Sequence, residues 1–120
     1  MHELSLAQDV LTIIEQSALK ENFKHVREIT ISIGKLAGVE IDSFVFALEH
    51  VAESGVLQGS KINITQPEAH ATCNKCRSNF VVNTRWDNCP TCLSHDTQIT
   101  SGEQLQIIDL IVSDQDKLSL

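Results

Sequence analysis

Four cysteines and a histidine at the second position are the residues of this chain best placed to do chemistry. Cys73-Asn74-Lys75-Cys76 and Cys89-Pro90-Thr91-Cys92 form two CxxC pairs with 12 residues between them. At that spacing two tight turns can converge four thiolates on the corners of a tetrahedron. All four positions would be protein ligands, which leaves none for water or substrate and makes the centre structural rather than catalytic. Zinc is the expected ion. A single iron in the same all-sulfur field is the chief rival, and thiol redox chemistry a lesser one, since one CxxC would favour redox and two do not. His70 and His95 flank the cysteines. Solvated loop residues are expected at both, with exchange for a thiolate as the alternative.

The amino-terminal pair Met1-His2 offers different donors. A free Met1 amine, the deprotonated His2 amide and the His2 imidazole would supply three nitrogens in adjacent five- and six-membered chelate rings. Nickel(II) and copper(II) favour such a tetragonal field, and zinc much less so. The Glu3 amide, or a carboxylate from the loop after the first strand where Glu40 lies, could complete it. The bland alternative is an exposed terminal histidine with no role.

The elements that must position these residues follow from hydrophobic period. Leu4, Ala7, Val10, Leu11, Ile14 and Ala18 recur every three or four places, predicting a helix from about residue 3 to about residue 20. Ile29, Ile31 and Ile33 alternate with polar residues, the period of a strand, and Gly34 permits a turn. After a loop over residues 35–41, Asp42 is the expected N-cap of a second helix carrying Phe44, Leu48 and Val51. Residues 61–65 predict a second strand. Leu105 and Ile107 share one phase while Ile108, Leu110 and Val112 share the other, predicting a third strand with a bulge or a change of burial near Ile107.

This order lacks repeated βαβ units. The expected fold is therefore α+β: a small antiparallel sheet of about three strands with two helices on one face, interrupted by a zinc-ribbon-like four-cysteine module. The expected boundaries are 1–70 with 97–113 for the α+β domain, 71–96 for the module, and 114–120 for a flexible tail. Phe80, Val81, Val82 and Trp86 are expected to supply the module's few apolar contacts.

Length and charge narrow the function. At 120 residues, 42% hydrophobic and 21% charged, the chain can build a core but is too short for a multidomain enzyme. A formal charge of −7 argues against nucleic acid and anionic membrane as partners. No apolar run reaches the roughly 20 residues of a membrane span. The start lacks the marks of a signal peptide, so a cytoplasmic location is expected. No catalytic triad or phosphate loop is present, and a carrier rather than an enzyme is expected.

Several segments carry a resemblance: Met1-His2-Glu3-Leu4-Ser5-Leu6-Ala7-Gln8, Ile33-Gly34-Lys35, Val39-Glu40, the two CxxC pairs, and Ser101-Gly102-Glu103-Gln104-Leu105-Gln106-Ile107. Together, from residue 1 to about residue 112, they resemble the HypA/HybF family of hydrogenase maturation proteins. The resemblance implies a nickel metallochaperone that helps load the large-subunit precursor of NiFe hydrogenase together with a nickel-handling GTPase. It implies nickel as cargo at His2 and Glu3, with Glu40 at a position where the family accepts Asp or Glu. It implies structural zinc on Cys73, Cys76, Cys89 and Cys92. The competing expectation is a zinc-ribbon adaptor that binds protein or nucleic acid and in which His2 is incidental; an iron-thiolate electron carrier is a third.

Overall fold

A computed structural model describes residues 2–113, the His2 side chain excepted. The expected tail over 114–120, and the nickel donors expected on Met1 and the His2 imidazole, lie outside the described residues. The elements run α1 (His2–Glu21), β1 (Val26–Ile33), α2 (Ile41–Val51), a 3₁₀ turn (Gly55–Leu57), β2 (Lys61–Thr65), β3 (Ala69–Cys73), β4 (Asn79–Val82), β5 (Thr97–Ser101) and β6 (Leu105–Val112). They form two three-stranded sheets, ordered β2-β1-β6 and β4-β3-β5. The architecture is α+β with a four-cysteine metal module.

Contacts divide the chain into two compact units, the first built from Met1–Ile31, Val39–Asn63 and Ile107–Leu120. Its core is apolar in the expected pattern. Ala7, Val10 and Ile14 are buried on α1, Ile29 and Ile31 on β1, and Phe44, Ala47 and Leu48 on α2. Helices α1 and α2 pack on each other. Leu4, placed on the buried stripe of α1 by its spacing, is about half exposed. Along β6 the burial phase shifts where Ile108 and Asp109 are both exposed, one residue from the expected change.

The second unit comprises Ser32–Gly38 and Ile64–Gln106, a wider span than the 71–96 expected from the cysteines. Strand β3 is its centre, pairing antiparallel with β4 (Ala71 opposite Phe80) and with β5 (Ala71 opposite Ile99). Ala69, Ala71 and Val82 form a small buried core, with Leu36, Phe80 and Ile99 packed against it. Trp86 and Val81 do not join it, contrary to expectation: Trp86 is 83% exposed and Val81 46%. Small alanines on β3 leave room for only a thin apolar layer.

Residues 34–36 are stitched to the rest of this unit by main-chain bonds. The Gly34 N–H donates to Gln104 (3.0 Å), Lys35 N–H to Pro67 (3.1 Å) and Leu36 N–H to Gly102 (2.9 Å). Gly34 is required by contact. A Cβ there would lie 2.2 Å from the Gly102 carbonyl oxygen, and one on Gly102 would lie 2.4 Å from the Ala69 Cα.

Candidate metal centres

Each CxxC pair begins a turn of the same construction. In the first, Cys73 N–H donates to Ser78 (2.9 Å) and Arg77 N–H donates to Cys73 (3.0 Å); in the second, Cys89 N–H donates to Ser94 (3.0 Å) and Leu93 N–H to Cys89 (2.8 Å). Both turns pass through a left-handed residue directly after the second cysteine, Arg77 at φ 66° and Leu93 at φ 63°. The sequence signal is plain in retrospect. Both pairs read C-x-x-C-x-S, and in each the main-chain carbonyl of that serine accepts the first cysteine's N–H.

These turns bring the four predicted cysteines together, all as free thiols. One ligand sulfur from each lies within 4.8 Å of the others. Cys73 and Cys92 are 3.6 Å apart, Cys76 and Cys89 3.5 Å. An ion about 2.3 Å from four tetrahedral sulfurs would separate them by about 3.8 Å, so the cage fits one thiolate-bound metal ion with little adjustment. Disulfides, with sulfurs about 2.05 Å apart, are a different geometry. Among the described residues this is the only cluster of three or more potential metal-ligating side chains. His70 stands outside it, its Nδ1 bonded to the Ser101 hydroxyl at 3.0 Å. His95 is exposed and also outside it.

The turns also set the thiol chemistry. The Cys76 thiol is lowered to about 6, first by the Ser78 hydroxyl and then by the Ser78 N–H. Cys73 is lowered chiefly by the Cys76 N–H, one of two amides that donate to its sulfur at 3.4 Å. Cys92 goes the other way, up to about 11: the Ser94 N–H pulls it down, but the neighbouring Cys73 sulfur and desolvation outweigh that pull. Amides aimed at sulfur stabilise thiolates, the form a metal binds.

Between the pairs, Asp87 accepts the Asn83 N–H (2.7 Å) and the Thr84 hydroxyl (2.7 Å), which fixes the loop and holds its carboxyl below the usual range, the Thr84 hydroxyl contributing most. Arg85 pairs with Glu103 and donates to the Leu36 carbonyl at 3.0 Å. Two further cations of the module, Lys75 and Arg77, are exposed, while Arg85 is engaged within its own unit.

Of the other predicted residues, Glu3 and Glu40 meet in the first unit. His2 opens α1. One turn is enough to place Glu3 against the loop before α2, where its Oε2 accepts the backbone N–H of Glu40 at 3.1 Å. Residues 37 positions apart are thereby in direct contact. That bond is the leading cause of a lowered Glu3 carboxyl. Glu40, not Asp42, is the N-cap of α2: its Oε1 accepts the Ser43 N–H at 3.0 Å and the Ser43 hydroxyl at 3.2 Å. Asp42 instead sits in the helix's first turn, where its charge suits the positive end of the dipole. The role of Ser43 was missed by sequence reasoning, because Glu40-x-x-Ser43 reverses the usual order of a capping box.

Comparison with known proteins adds an independent result. The family model described as "Hydrogenase/urease nickel incorporation, metallochaperone, hypA" matches residues 1–112. The chain is 38% identical over 114 residues to the hydrogenase maturation factor HypA of Cupriavidus necator, covering 95% of this chain and 96% of that protein. It is 37% identical over 112 residues to HypA of Alkalilimnicola ehrlichii, covering 93% and 99%. In fold it is similar to the solution structure of the Ni metallochaperone HypA from Helicobacter pylori, with a TM-score of 0.69 at 23% identity over 92% of this chain and 96% of that one.

Proposed function

This chain belongs to the HypA family of hydrogenase and urease nickel-incorporation metallochaperones, and from that premise we propose that it carries Ni(II) at its amino terminus and hands it on for hydrogenase maturation. The cargo site comprises the Met1 amine, the amide and imidazole of His2, and Glu3 by backbone amide or carboxylate, with Glu40 as an auxiliary oxygen donor. The four cysteines hold zinc permanently. Its partners are a nickel-handling GTPase and the large-subunit precursor of NiFe hydrogenase, met in the cytoplasm. The protein transfers an ion and alters no covalent bond of a substrate.

The contact between Glu3 and Glu40 carries this reading, because it gathers the two acidic candidate donors beside the start of α1. Charge supports it as well. The unit that bears these residues has twelve Asp and Glu against five Lys and Arg, whereas the four-cysteine unit has four of each. A divalent cation is thus attracted to the first unit as a whole. For the sulfur cage, a closed four-thiolate shell suits retention, and zinc answers to its size and donor softness.

Nickel titration of the untagged protein tests the proposal, alongside His2→Ala and a form with residues added before Met1. Both altered forms should lose most nickel affinity and keep their zinc. Unchanged nickel binding in both would leave the adaptor reading in its place. Iron in the cage would announce itself by strong thiolate-to-metal absorption, which zinc lacks.

A further inference from the structure

Glu40 makes two kinds of hydrogen bond at once. Through its backbone it donates to Glu3 on α1, and through one side-chain oxygen, Oε1, it accepts both the N–H and the hydroxyl of Ser43. Glutamate is a poor N-cap as a rule, because its longer side chain must be ordered to reach the helix amides. Here the Ser43 hydroxyl adds a second bond to the same oxygen and selects one orientation of the carboxylate. Among the described residues no hydrogen bond reaches Oε2, and the side chain is exposed.

We infer that Ser43 is a positioning residue for cargo: by pinning Oε1 at the head of α2 it fixes the Glu40 carboxylate with Oε2 presented to a divalent cation held at the His2-Glu3 end of α1. The inference rests on the amino-terminal nickel reading and deepens it. Ser43 supplies no donor to the metal. Its contribution is pre-organisation, since a carboxylate already ordered loses less freedom when it binds. The same tie makes the N-cap and the cargo site share one residue, so the first turn of α2 is ordered by the group that faces the ion.

The experiment is a competition titration of Ni(II) against a chromophoric chelator at neutral pH, with the full-length, untagged, zinc-loaded protein. Ser43→Ala should weaken nickel binding by about three- to tenfold, the cost of re-ordering one long side chain, and Ser43→Thr, which keeps the hydroxyl, should restore it. Thermal unfolding without nickel separates a merely structural role: a lowered midpoint with unchanged affinity, or tighter binding in Ser43→Ala, overturns the inference. Should Ser43→Ala fold poorly, Ser43→Gly removes the same hydroxyl in its place; Glu40→Gln supplies a second arm. It keeps an acceptor oxygen for the cap but lacks the charge. In that background Ser43→Ala should change nickel affinity by less than about twofold, and a full additional loss would show that Ser43 acts elsewhere. His2→Ala tells the two proposals apart. If it leaves nickel affinity intact, the cargo reading fails; if it abolishes binding while Ser43→Ala has no effect, only the positioning role fails.

Discussion

The two units of this protein present metal-binding groups in opposite ways. The four-cysteine unit has equal numbers of acidic and basic residues and surrounds its ion position with sulfurs on two turns that share their main-chain hydrogen bonds. The other unit is strongly acidic, and its candidate donors sit on the first residues of a helix and on an exposed helix cap. The difference teaches how permanence is written into a site. A closed set of soft ligands, fixed by backbone geometry, retains its ion; a few hard or borderline donors at a chain end can exchange theirs.

The sharpest break in that comparison comes from opening the sulfur cage. Cys73 is fully buried and its sulfur receives two amide bonds, so Cys73→Ala should abolish binding of the proposed zinc and melt strands β3 to β5. The helical signal of α1 and α2 should persist. Full zinc content in this variant, read by metal analysis, would contradict the four-cysteine assignment. The second largest effect needs no ligand change. Gly34→Ala would drive a methyl into the Gly102 carbonyl, backbone against backbone, and should cost roughly 2–4 kcal/mol in chemical denaturation. An alanine variant of native stability would mean that residues 34–36 are not held as described.

Release is next in size. At the proposed amino-terminal site nickel would displace protons from an amine with an ordinary pKa of about 7.7–8.0 and an imidazole of about 6.5, so affinity should fall more than tenfold between about pH 7.5 and pH 6. Protons compete for the donors, hence acid weakens binding. Zinc should stay bound across the same interval. Parallel loss of both metals would erase the distinction between a labile and a retained site.

How much of this was legible in the sequence depends on how each part is held. Helix α1 and strand β1 are specified by large apolar residues at regular spacing, so Val10, Ile14, Ile29 and Ile31 announced their burial. The cysteine ligand set was equally plain, since spacing alone defines it. Strands β3 to β5 were not anticipated. Strand β3 alternates correctly, with Ala69, Ala71 and Cys73 buried and His70 exposed, but alanine is a weak strand former and the pattern carried little hydrophobic contrast. β5 offers a single large apolar residue, Ile99. These strands are ordered by pairing with one another and by the turns that collect the thiols, which are non-local causes. Expecting Asp42 as the cap of α2 followed the general preference for aspartate over glutamate. The structure prefers Glu40 because its backbone also meets Glu3 and its reach spans to Ser43.

Metal-free protein offers a subtler contrast, now between ligands of the same cage. With Cys76 lowered to about 6 and Cys92 raised to about 11, Cys76 should be the thiolate at neutral pH and react first with iodoacetamide, while Cys92 reacts slowly although both are exposed. The signs follow from the shifts. Cys76 favours the folded metal-free state above the ordinary thiol value and loses that contribution as pH falls through about 6; Cys92 does the reverse, losing its contribution as pH rises from the ordinary value toward about 11. Equal alkylation of the two, mapped by mass spectrometry in zinc-stripped protein, would remove the asymmetry.

The smallest expected effect probes the turns themselves. Arg77 and Leu93 hold the left-handed conformation without being glycine, which costs an L-residue about 1–2 kcal/mol. Glycine would escape that strain but give up roughly 0.5–1 kcal/mol to the greater freedom of its unfolded chain. Leu93 is 70% exposed and Arg77 is exposed as well, so little packing is lost by either change. Leu93→Gly and Arg77→Gly should therefore each stabilise the zinc-loaded protein by about 0.5–1 kcal/mol, raising the thermal midpoint by a few degrees. A β-branched side chain is still less suited to positive φ, and Leu93→Ile should lower the midpoint. If glycine destabilised at Leu93 and stabilised at Arg77, the two turns would differ in what they bear despite their common hydrogen bonds, and the exposed leucine would have to earn its place through contacts made outside the turn.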